Sequence, residues 1–283
     1  MKKEQRKPGF FYQTMAETIE LIALGSGSRG NSLAVRYGDQ TLLVDAGFSC
    51  RELKRRLTVS GVDPGSVRAV LLTHEHSDHL SGCRVFCDQC GIPLYLSGRV
   101  ADRLSRDGAL LPSRLCEFEP GNHFDVAGFS VAPFPVQHDA VDPVGFEVRR
   151  GDFRIGIASD LGKMNAAACR HLTDCDALVL ESNYDPEMLR NSERQYYLKR
   201  RISGRFGHLD NQSAAAALRE LVGRRTRVVL YVHISSECNT YELAHRSGKQ
   251  TLVEMGRPDV QLFVVPQQDP LPPLTIRRCD ADM

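Results

Sequence analysis

The chain has 283 residues, 42% hydrophobic and 25% charged, which is enough for one large globular domain or two small ones. Its net charge of +1 excludes a strongly basic or acidic protein as a whole, although a local charged patch is compatible with it. Residues 1–20 lack the apolar core of a signal peptide or membrane span, and the nine cysteines are scattered, so we expect a cytoplasmic protein with reduced thiols and no membrane association.

The first predicted elements are an arm, a strand and a hairpin. Residues 1–17 are basic and poor in apolar groups, which predicts a flexible arm. Thr18–Leu24 alternates between polar and apolar residues and predicts a strand. The glycine-rich loop Gly25–Ser32 follows, and its amides could approach an anion or simply form a tight connection. Ser32–Tyr37 and Thr41–Val44 then predict a hairpin.

Three histidines and one aspartate lie within a span of six residues just after the next predicted strand. The apolar run Ala69–Leu72 predicts that buried strand, and His74, His76, Asp78 and His79 follow it. Imidazole and carboxylate groups suit Zn, Mn or Fe. Side chains two apart in extended chain point to the same side, so His74 and His76 can share one ion while Asp78 and His79 reach a second. A polar loop with surface histidines is the alternative, but so tight a cluster favours a metal site.

The spacing His74-x-His76-x-Asp78-His79 after an apolar strand resembles the signature of the metallo-β-lactamase-fold hydrolases. The resemblance implies an α+β fold for residues 18–265, a four-layer αβ/βα sandwich of two mixed β-sheets flanked by helices. It also implies that Asp45, at the end of the hairpin, supports the metal-binding loop without binding metal itself. A plain turn residue is the alternative for Asp45.

Helices are predicted on either side of this cluster. Ser49 is expected to cap a helix through Leu57, and a second helix is predicted over Leu80–Cys90. Cys83, Cys87 and Cys90 share one face of that second helix, so buried thiols are favoured over a metal site. A strand at 93–97, a helix at 98–106 and a hairpin over 124–135 follow.

Three further ligands are expected at strand ends in the second half. His138 follows the hairpin, Asp160 follows a second hairpin over 144–159, and His233 follows an apolar strand over 227–232. A lone histidine is more often structural, and an aspartate before glycine is common in turns. These assignments therefore rest on the resemblance, which implies one ion held by His74, His76 and His138 and another held by Asp78, His79 and His233, with Asp160 bridging the two.

The implied cofactors are two divalent metal ions, Zn or Mn. Two such ions about 3.5–4 Å apart can activate a bridging water and clamp a phosphoryl oxygen. The expected chemistry is hydrolysis by a metal-activated hydroxide, in which Asp78 takes part as a catalytic ligand. The nitrogen and oxygen ligands accept both metals, so the ligand types do not distinguish Zn from Mn.

Two motifs in the second half resemble the nuclease branches of this superfamily. Glu181-Ser182-Asn183 follows a buried strand, and Gly207-His208-Leu209 precedes an alanine-rich helix over 212–221. The resemblance implies that Glu181 and His208 form a pair that protonates the leaving oxygen, since phosphodiester cleavage expels an alkoxide. Asn183 and Asn211 are expected to contact substrate. A solvated strand end and an ordinary loop are the alternatives for Glu181 and His208.

A run of basic residues precedes His208. Lys199, Arg200, Arg201 and Arg205 would form a solvated face if they lay on a helix, which is the usual meaning of a charge run. Beside a phosphodiesterase site they could instead contact the phosphate backbone. The sequence favours neither interpretation.

Over residues 18–265 the chain resembles the YycJ (WalJ) subfamily. The shared motifs are the glycine-rich loop, the histidine cluster, Glu181–Asn183, Gly207–Leu209 and Asn211. The resemblance implies a 5′-to-3′ exonuclease that acts on DNA with two metal ions, Mn being the expected one. The chain departs from the subfamily at Tyr184, Asp210 and Cys238, where histidine, serine and asparagine are usual. Asp210 would repel a terminal phosphate if the usual serine helps to seat it.

Two other functions remain compatible with the sequence. A thioester or lactone hydrolase of the glyoxalase II type would use the same metals without the Glu181–His208 pair. A metal-stabilised binding scaffold would need no catalysis. RNA also remains a possible substrate, because nothing in the sequence selects against a 2′-hydroxyl. The proline-rich residues 266–283 predict a loosely ordered tail, and no oligomeric state is indicated.

Overall fold

The computed structural model describes residues 18–277, which contain fourteen β-strands. In chain order these are β1 (Thr18–Gly25), β2 (Ser32–Tyr37), β3 (Gln40–Val44), β4 (Val67–Leu71), β5 (Leu94–Ser97), β6 (Leu115–Phe118), β7 (Phe124–Val126), β8 (Phe129–Pro135), β9 (Val144–Arg150), β10 (Phe153–Ala158), β11 (Ala177–Glu181), β12 (Val228–Val232), β13 (Gln261–Val264) and β14 (Leu274–Arg277). They form two seven-stranded sheets, with the strand orders β14-β1-β2-β3-β4-β5-β6 and β13-β12-β11-β10-β9-β8-β7.

The same residues contain nine α-helices. They are α1 (Cys50–Val59), α2 (Ser77–Leu80), α3 (Cys83–Cys90), α4 (Gly98–Arg106), α5 (Ala166–Leu172), α6 (Pro186–Asn191), α7 (Tyr196–Ile202), α8 (Asn211–Leu221) and α9 (Tyr241–Glu254). None of the helices between residues 18 and 277 combines the length and apolar character needed to cross a membrane.

Three buried apolar clusters define four layers. One lies between the two sheets and combines residues such as Leu21 with Phe146 and Leu230. The second packs the outer face of the first sheet against α1, α3 and α4, and the third packs the second sheet against α5, α8 and α9. The predicted α+β four-layer sandwich is confirmed. Burial of Cys83 and Cys87 in the second cluster agrees with their expected role as apolar thiols.

Parallel strands in both sheets deliver polar residues to one edge of the sandwich. β3 pairs in parallel with β4, β10 pairs in parallel with β11, and β11 pairs in parallel with β12. The carboxyl ends of adjacent parallel strands lie at the same edge of a sheet, which is where α/β proteins place their sites. Asp45, His74, Asp160, Glu181 and His233 all lie at or just after the ends of these strands.

The predicted loose tail is wrong for residues 266–277. β14 pairs antiparallel with β1, with Ile276 opposite Ile19, and both side chains are buried between the two sheets. The buried Arg56 guanidinium also donates a 2.6 Å hydrogen bond to the carbonyl of Gln268. A proline-rich composition does not reveal that an open sheet edge can pair with the segment. The predicted arm, residues 1–17, and the end of the tail, residues 278–283, lie outside the described residues.

The helix predicted over 80–90 is divided into α2 and α3 at Gly82. The amide of Gly82 donates to the carbonyl of Ala46 at 2.7 Å, and a Cβ at this position would lie 2.0 Å from the carbonyl oxygen of Phe48. Only glycine allows this close approach, which ties the histidine cluster to the loop after β3. Helices α6 and α7 were not predicted, because their polar sequences show no clear apolar periodicity.

Candidate metal centre

The structure brings all seven predicted ligands together. In residues 18–277, the sets of side chains that could hold a metal ion have ligand atoms within 4.8 Å of one another. These sets are His74, His76 and His138; Asp78, His79 and His233; His74, His79 and Asp160; and Asp160, Glu181, His208 and His233. The first two sets match the two groups expected from the sequence, and we call them the first and second ligand groups.

Asp160 lies between the two ligand groups. Its Oδ2 is 3.2 Å from Nε2 of His79, and its Oδ1 is 3.0 Å from Nδ1 of His233 and 3.9 Å from Nε2 of His138. A carboxylate with two oxygens can therefore face both groups at once.

Two imidazoles of the first ligand group, those of His74 and His138, are oriented by uncharged acceptors. Nδ1 of His138 lies 3.0 Å from the carbonyl oxygen of Gly207, and Nδ1 of His74 lies 3.0 Å from the hydroxyl of Thr73. These contacts leave Nε2 of each ring directed at the centre, where Nε2 of His138 is 3.4 Å from Nδ1 of His76. Nε2 of His74 is buried without a hydrogen-bond partner among residues 18–277, as expected of a nitrogen that ligates a metal.

The second ligand group is supported by a buried carboxylate. Oδ2 of Asp45 lies 2.7 Å from Nδ1 of His79, and Oδ1 of Asp45 accepts a 2.8 Å hydrogen bond from the amide of Thr73. A carboxylate in this position selects the ring orientation and raises the basicity of the ligating nitrogen. This placement agrees with the supporting role that the resemblance implies for Asp45.

Asn31 also contacts the second ligand group, and sequence reasoning missed it. Its Nδ2 lies 3.1 Å from Oδ2 of Asp78 and 3.0 Å from Nε2 of His79. Its Oδ1 accepts hydrogen bonds from the Ser26 hydroxyl and the Gly27 amide, at 2.7 and 2.8 Å. The amides of Ser26, Gly27, Gly30 and Asn31 all donate hydrogen bonds within the protein, which favours a tight connection that holds ligands in place over an anion site. The only available signal was the polar Asn31 within that motif.

Glu181 connects the second ligand group to His208. Nδ1 of His208 and Nδ1 of His233 both lie 2.8 Å from Oε1 of Glu181, and Oε2 accepts from the amides of Leu161 and Leu209 at 3.0 Å. Glu181 is fully buried, so the alternative of a solvated strand end is wrong. His208 is 21% exposed and lines a cavity of about 200 Å³, so Glu181 can act on a substrate only through His208.

Three residues of the centre have left-handed backbone conformations. Asp45, Asp160 and His233 have φ angles of 62°, 49° and 57°. Each follows a strand of the parallel region, where this conformation turns the side chain toward the centre. Such conformations are unfavourable for residues with a Cβ and persist only where the surrounding structure imposes them.

Opposite charges dominate the electrostatics of the buried site. Burial alone would raise the pKa of Asp160, but the charges of His233 and His79 hold it well below its usual range. Burial alone would likewise lower the pKa of His79, but Asp45 and Asp160 raise it. For His74, burial and the neighbouring His79 lower the pKa, which favours the neutral imidazole that binds metals.

Burial and a neighbouring charge also have opposite effects on the pKa of His208. Burial alone would lower the pKa of its imidazole, but the charge and hydrogen bond of Glu181 outweigh burial and raise the pKa.

The expectation that Asn183 and Asn211 contact substrate is not supported. Both residues are buried, and Nδ2 of Asn183 donates a 2.6 Å hydrogen bond to the carbonyl of His233. Asn211 exchanges hydrogen bonds with the side chain of Asn239 at 2.9 Å and accepts from the hydroxyl of Ser182 at 2.7 Å. These amides therefore hold the strand ends together, because their polar atoms are satisfied within the protein.

The predicted basic residues lie on α7 and in the loop after it. Lys199 donates to the carbonyl oxygens of Arg190 and Ser192 at 2.7 and 2.6 Å, so it anchors α7 to α6. Nε of Arg201 lies 2.5 Å from Oδ2 of Asp139. Nε of Arg205 lies 3.1 Å from Oε1 of Gln137, and Arg200 lies over the ring of Tyr196. Arg201 and Arg205 therefore contact residues next to His138, whereas Arg200 lines a separate groove with Tyr196. Phosphate contacts of the three arginines remain a prediction.

Comparisons with known proteins agree with this geometry. Residues 40–234 match the β-lactamase superfamily domain. The chain is 30% identical to exodeoxyribonuclease YycJ of Bacillus anthracis, over 92% of this chain and 98% of that protein. It is 32% identical to exodeoxyribonuclease WalJ of Streptococcus pneumoniae, over 82% of this chain and 87% of that protein. The crystal structure of the metallo-β-lactamase fold protein YhfI from Bacillus subtilis has the same fold, with a TM-score of 0.69 at 15% identity, covering 90% and 99% of the two chains.

Proposed function

The chain belongs to the β-lactamase superfamily, and from this we propose that it is a metal-dependent phosphodiester hydrolase that degrades DNA from the 5′ end toward the 3′ end. The observation that carries the proposal is the Glu181–His208 pair, joined at 2.8 Å beside both ligand groups. Thiolates leave without a proton donor, whereas the alkoxide released from a phosphodiester needs one. The similarity to YycJ and WalJ, exodeoxyribonucleases that match most of this chain, supports DNA as the substrate.

The donor set fits two divalent ions. Neutral imidazoles and carboxylates are the ligands that Zn and Mn accept, and the unpartnered Nε2 of His74 is the kind of buried nitrogen that a metal satisfies. His74, His76 and His138 would hold one ion, and Asp78, His79 and His233 would hold the other, with Asp160 facing both. When bound, two such ions would supply an acidified water and would neutralise charge on the phosphoryl oxygens.

The protein groups then direct the remaining steps. A bond forms between the oxygen of water and the phosphorus, and the bond between phosphorus and the 3′ oxygen of the terminal nucleotide breaks. His208 donates its proton to that 3′ oxygen, and Glu181 keeps the ring oriented through Nδ1. The products are a mononucleotide with a free 3′-hydroxyl and a shortened strand with a 5′-phosphate. Asp160 and Asp45 hold the imidazoles in place during the reaction.

A dedicated site for the terminal phosphate is not expected at Asp210. Its carboxylate caps α8, accepting from the amides of Gln212 and Ser213 at 2.8 Å and from the Ser213 hydroxyl at 2.7 Å. The negative charge therefore occupies the helix N-terminus, which would otherwise attract an anion. We expect DNA with a 5′-hydroxyl and DNA with a 5′-phosphate to be degraded at comparable rates.

The proposal is tested by digestion of end-labelled DNA with protein that has been stripped of metal and reloaded with Mn or Zn. Parallel reactions contain RNA of the same sequence and a thioester, and Asp78→Ala provides the inactive control. Stepwise loss of nucleotides from the 5′ end of DNA, absent in Asp78→Ala, is the expected result. Faster digestion of RNA than DNA would move the substrate class to RNA.

Two other outcomes would overturn the proposal. Metal-dependent thioester hydrolysis without any nuclease activity would indicate a glyoxalase II-type hydrolase. Full metal occupancy with no hydrolysis of any of these substrates would indicate a metal-stabilised binding scaffold.

A further inference from the structure

Three exposed aromatic side chains lie in the short stretch of chain that precedes His208. Tyr196, Tyr197 and Phe206 are 75%, 63% and 53% exposed, and they are three of the seven exposed large hydrophobic side chains between residues 18 and 277. We name residues 196–206 the aromatic–basic segment, because they also contain four basic residues and no acidic one. Exposed aromatic groups gathered in this way are typical of an interaction surface.

The arginines of this segment lie against its aromatic rings. The Arg200 guanidinium is 6.0 Å from the ring centre of Tyr196, and the Arg205 guanidinium is 5.5 Å from that of Phe206. Lys199 differs, since backbone carbonyls already engage its ammonium group. Alternating cations and aromatic faces match a ligand that presents phosphates and flat bases in turn.

The segment is joined directly to the candidate metal centre. The amide of His208 donates to the carbonyl of Ile202 at 2.9 Å, and the carbonyl of Gly207 lies 3.0 Å from Nδ1 of His138. A ligand on the segment would therefore be held at a fixed position relative to the ligands of the first group.

Two cavities meet α7 on different faces. The cavity of about 200 Å³ is lined by Arg201, by its partner Asp139 and by His208. A larger groove of about 770 Å³ is lined by Tyr196 and Arg200. The two cavities share α7 as a wall, so a strand bound in the groove would lie on the same helix that lines the cavity at His208.

We propose that the aromatic–basic segment binds unpaired nucleotides of a DNA single strand and guides them to the metal centre; this inference rests on the proposed function. The bases of a duplex stack on one another and present no free faces to side chains, so exposed rings favour a single strand or a frayed end. Phosphates alone would require only the basic residues. The positive charge of the segment matches a polyanion, and its aromatic rings match the unpaired bases.

The test measures binding of a fluorescein-labelled phosphorothioate single strand of about twelve nucleotides to the metal-loaded protein, a length within the range of known single-strand sites. Stacking of about two bases predicts that Tyr196→Ala/Tyr197→Ala weakens binding at least about tenfold. Tyr196→Phe/Tyr197→Phe keeps the rings and should bind as the wild type does. Leu110→Ala, which removes a side chain that is 76% exposed elsewhere, is the control and should not change binding.

A second variant tests the cations through the salt dependence of binding. Arg200→Ala/Arg201→Ala should reduce the slope of log affinity against log salt by about 0.7 for each phosphate of the single strand that an arginine neutralises in the wild type. Arg246→Ala is the matched control, because its side chain is 63% exposed and that of Arg201 is 61% exposed. An unchanged slope in the double variant would mean that these arginines do not contact the phosphates of the bound strand.

The outcomes separate this inference from the proposed function. If wild-type protein digests DNA but Tyr196→Ala/Tyr197→Ala binds the single strand within about twofold of the wild type, well below the effect of removing one stacked ring, only the surface assignment is overturned. If Tyr196→Ala/Tyr197→Ala loses as much affinity for a blunt duplex as for the single strand, the segment does not select unpaired bases, and the inference is also overturned. If the wild type neither binds nor digests DNA, the proposed function itself is overturned.

Discussion

Each half of the sandwich places one buried carboxylate behind the centre, and the two carboxylates support different numbers of imidazoles. In the first half, Asp45 at the end of β3 orients His79. In the second half, Glu181 at the end of β11 orients both His233 and His208 through one oxygen. The first carboxylate thus supports a ligand only, whereas the second supports a ligand and the proposed proton donor together.

This difference separates metal binding from catalysis. A change at Asp45 should weaken metal binding, and excess metal can restore the occupancy and with it the activity. A change at Glu181 should weaken metal binding and also disturb His208. Excess metal can restore the occupancy in that case but not the position of His208. The two halves can therefore be distinguished by activity measured at limiting and at saturating metal.

The largest expected effect on activity is that of His208→Ala. Removing the proton donor should lower the rate of DNA hydrolysis about 10²- to 10⁴-fold, the usual contribution of a general acid. Metal content should not change, because His208 belongs to neither of the two principal ligand groups. The rate is checked by single-turnover digestion and the metal content by elemental analysis. His245→Ala, at an exposed position on α9, is the control, and equal activity of the two variants would exclude a catalytic role for His208.

The next largest effects come from the matched pair Glu181→Gln and Asp45→Asn. Each should weaken metal binding about 10- to 100-fold, as is typical when a carboxylate behind a ligating histidine is altered. Saturating metal should restore activity in Asp45→Asn. In Glu181→Gln, activity should stay at least about tenfold below that of the wild type, because the amide cannot accept hydrogen bonds from two imidazoles and two backbone amides together. This threshold is set below the roughly 10²-fold loss expected when a general acid is removed altogether.

Titration of metal against both variants, with activity followed at each point, checks this prediction. Full recovery of Glu181→Gln at saturating metal would mean that Glu181 supports only His233, and the two halves would then be equivalent.

No effect on activity is expected for a second pair of carboxylates, those of Glu147 and Glu52, which stabilise the fold. Burial alone would raise the pKa of Glu147, but hydrogen bonds from Arg149, His171 and Arg154 lower it to about 2. In the first half, a hydrogen bond from Arg55 similarly lowers the pKa of Glu52 to about 2. The side chain of Glu147 is 2% exposed and that of Glu52 is 32% exposed, so solvent screens the second interaction more strongly.

A carboxyl group with a lowered pKa stabilises the folded state above its unfolded pKa of about 4.5, and this stabilisation is lost as the pH falls toward 2. Glu147→Gln should therefore reduce the free energy of unfolding at pH 7 by up to about 3 kcal/mol and flatten its decline below pH 4.5. Glu52→Gln should have a smaller effect. Urea denaturation at pH 7 and pH 3.5 checks this order, and a larger loss in Glu52→Gln would contradict it.

Errors in the sequence-based predictions have a common physical origin. The loose tail was inferred from proline content, but the pairing of β14 depends on the open edge of β1, which lies more than 250 residues away in the chain. Asn211 was expected to face substrate because of its motif, but its amide is consumed by Asn239 and Ser182. In each case the deciding partner is distant in sequence and leaves no local pattern.

The sequence by itself determined the family, the layered α+β fold and the histidine cluster, because alternating strands and the spacing from His74 to His79 are local properties of the chain. The tertiary structure decided which buried groups orient that cluster. The contact of Asn31 with Asp78 and His79, and the shared contact of Glu181 with His233 and His208, join residues that are 27 to 52 positions apart. Only folding brings such residues within hydrogen-bond distance. For Glu181 and His233 the physical reason is that the parallel strands β11 and β12 end at the same edge of the sheet.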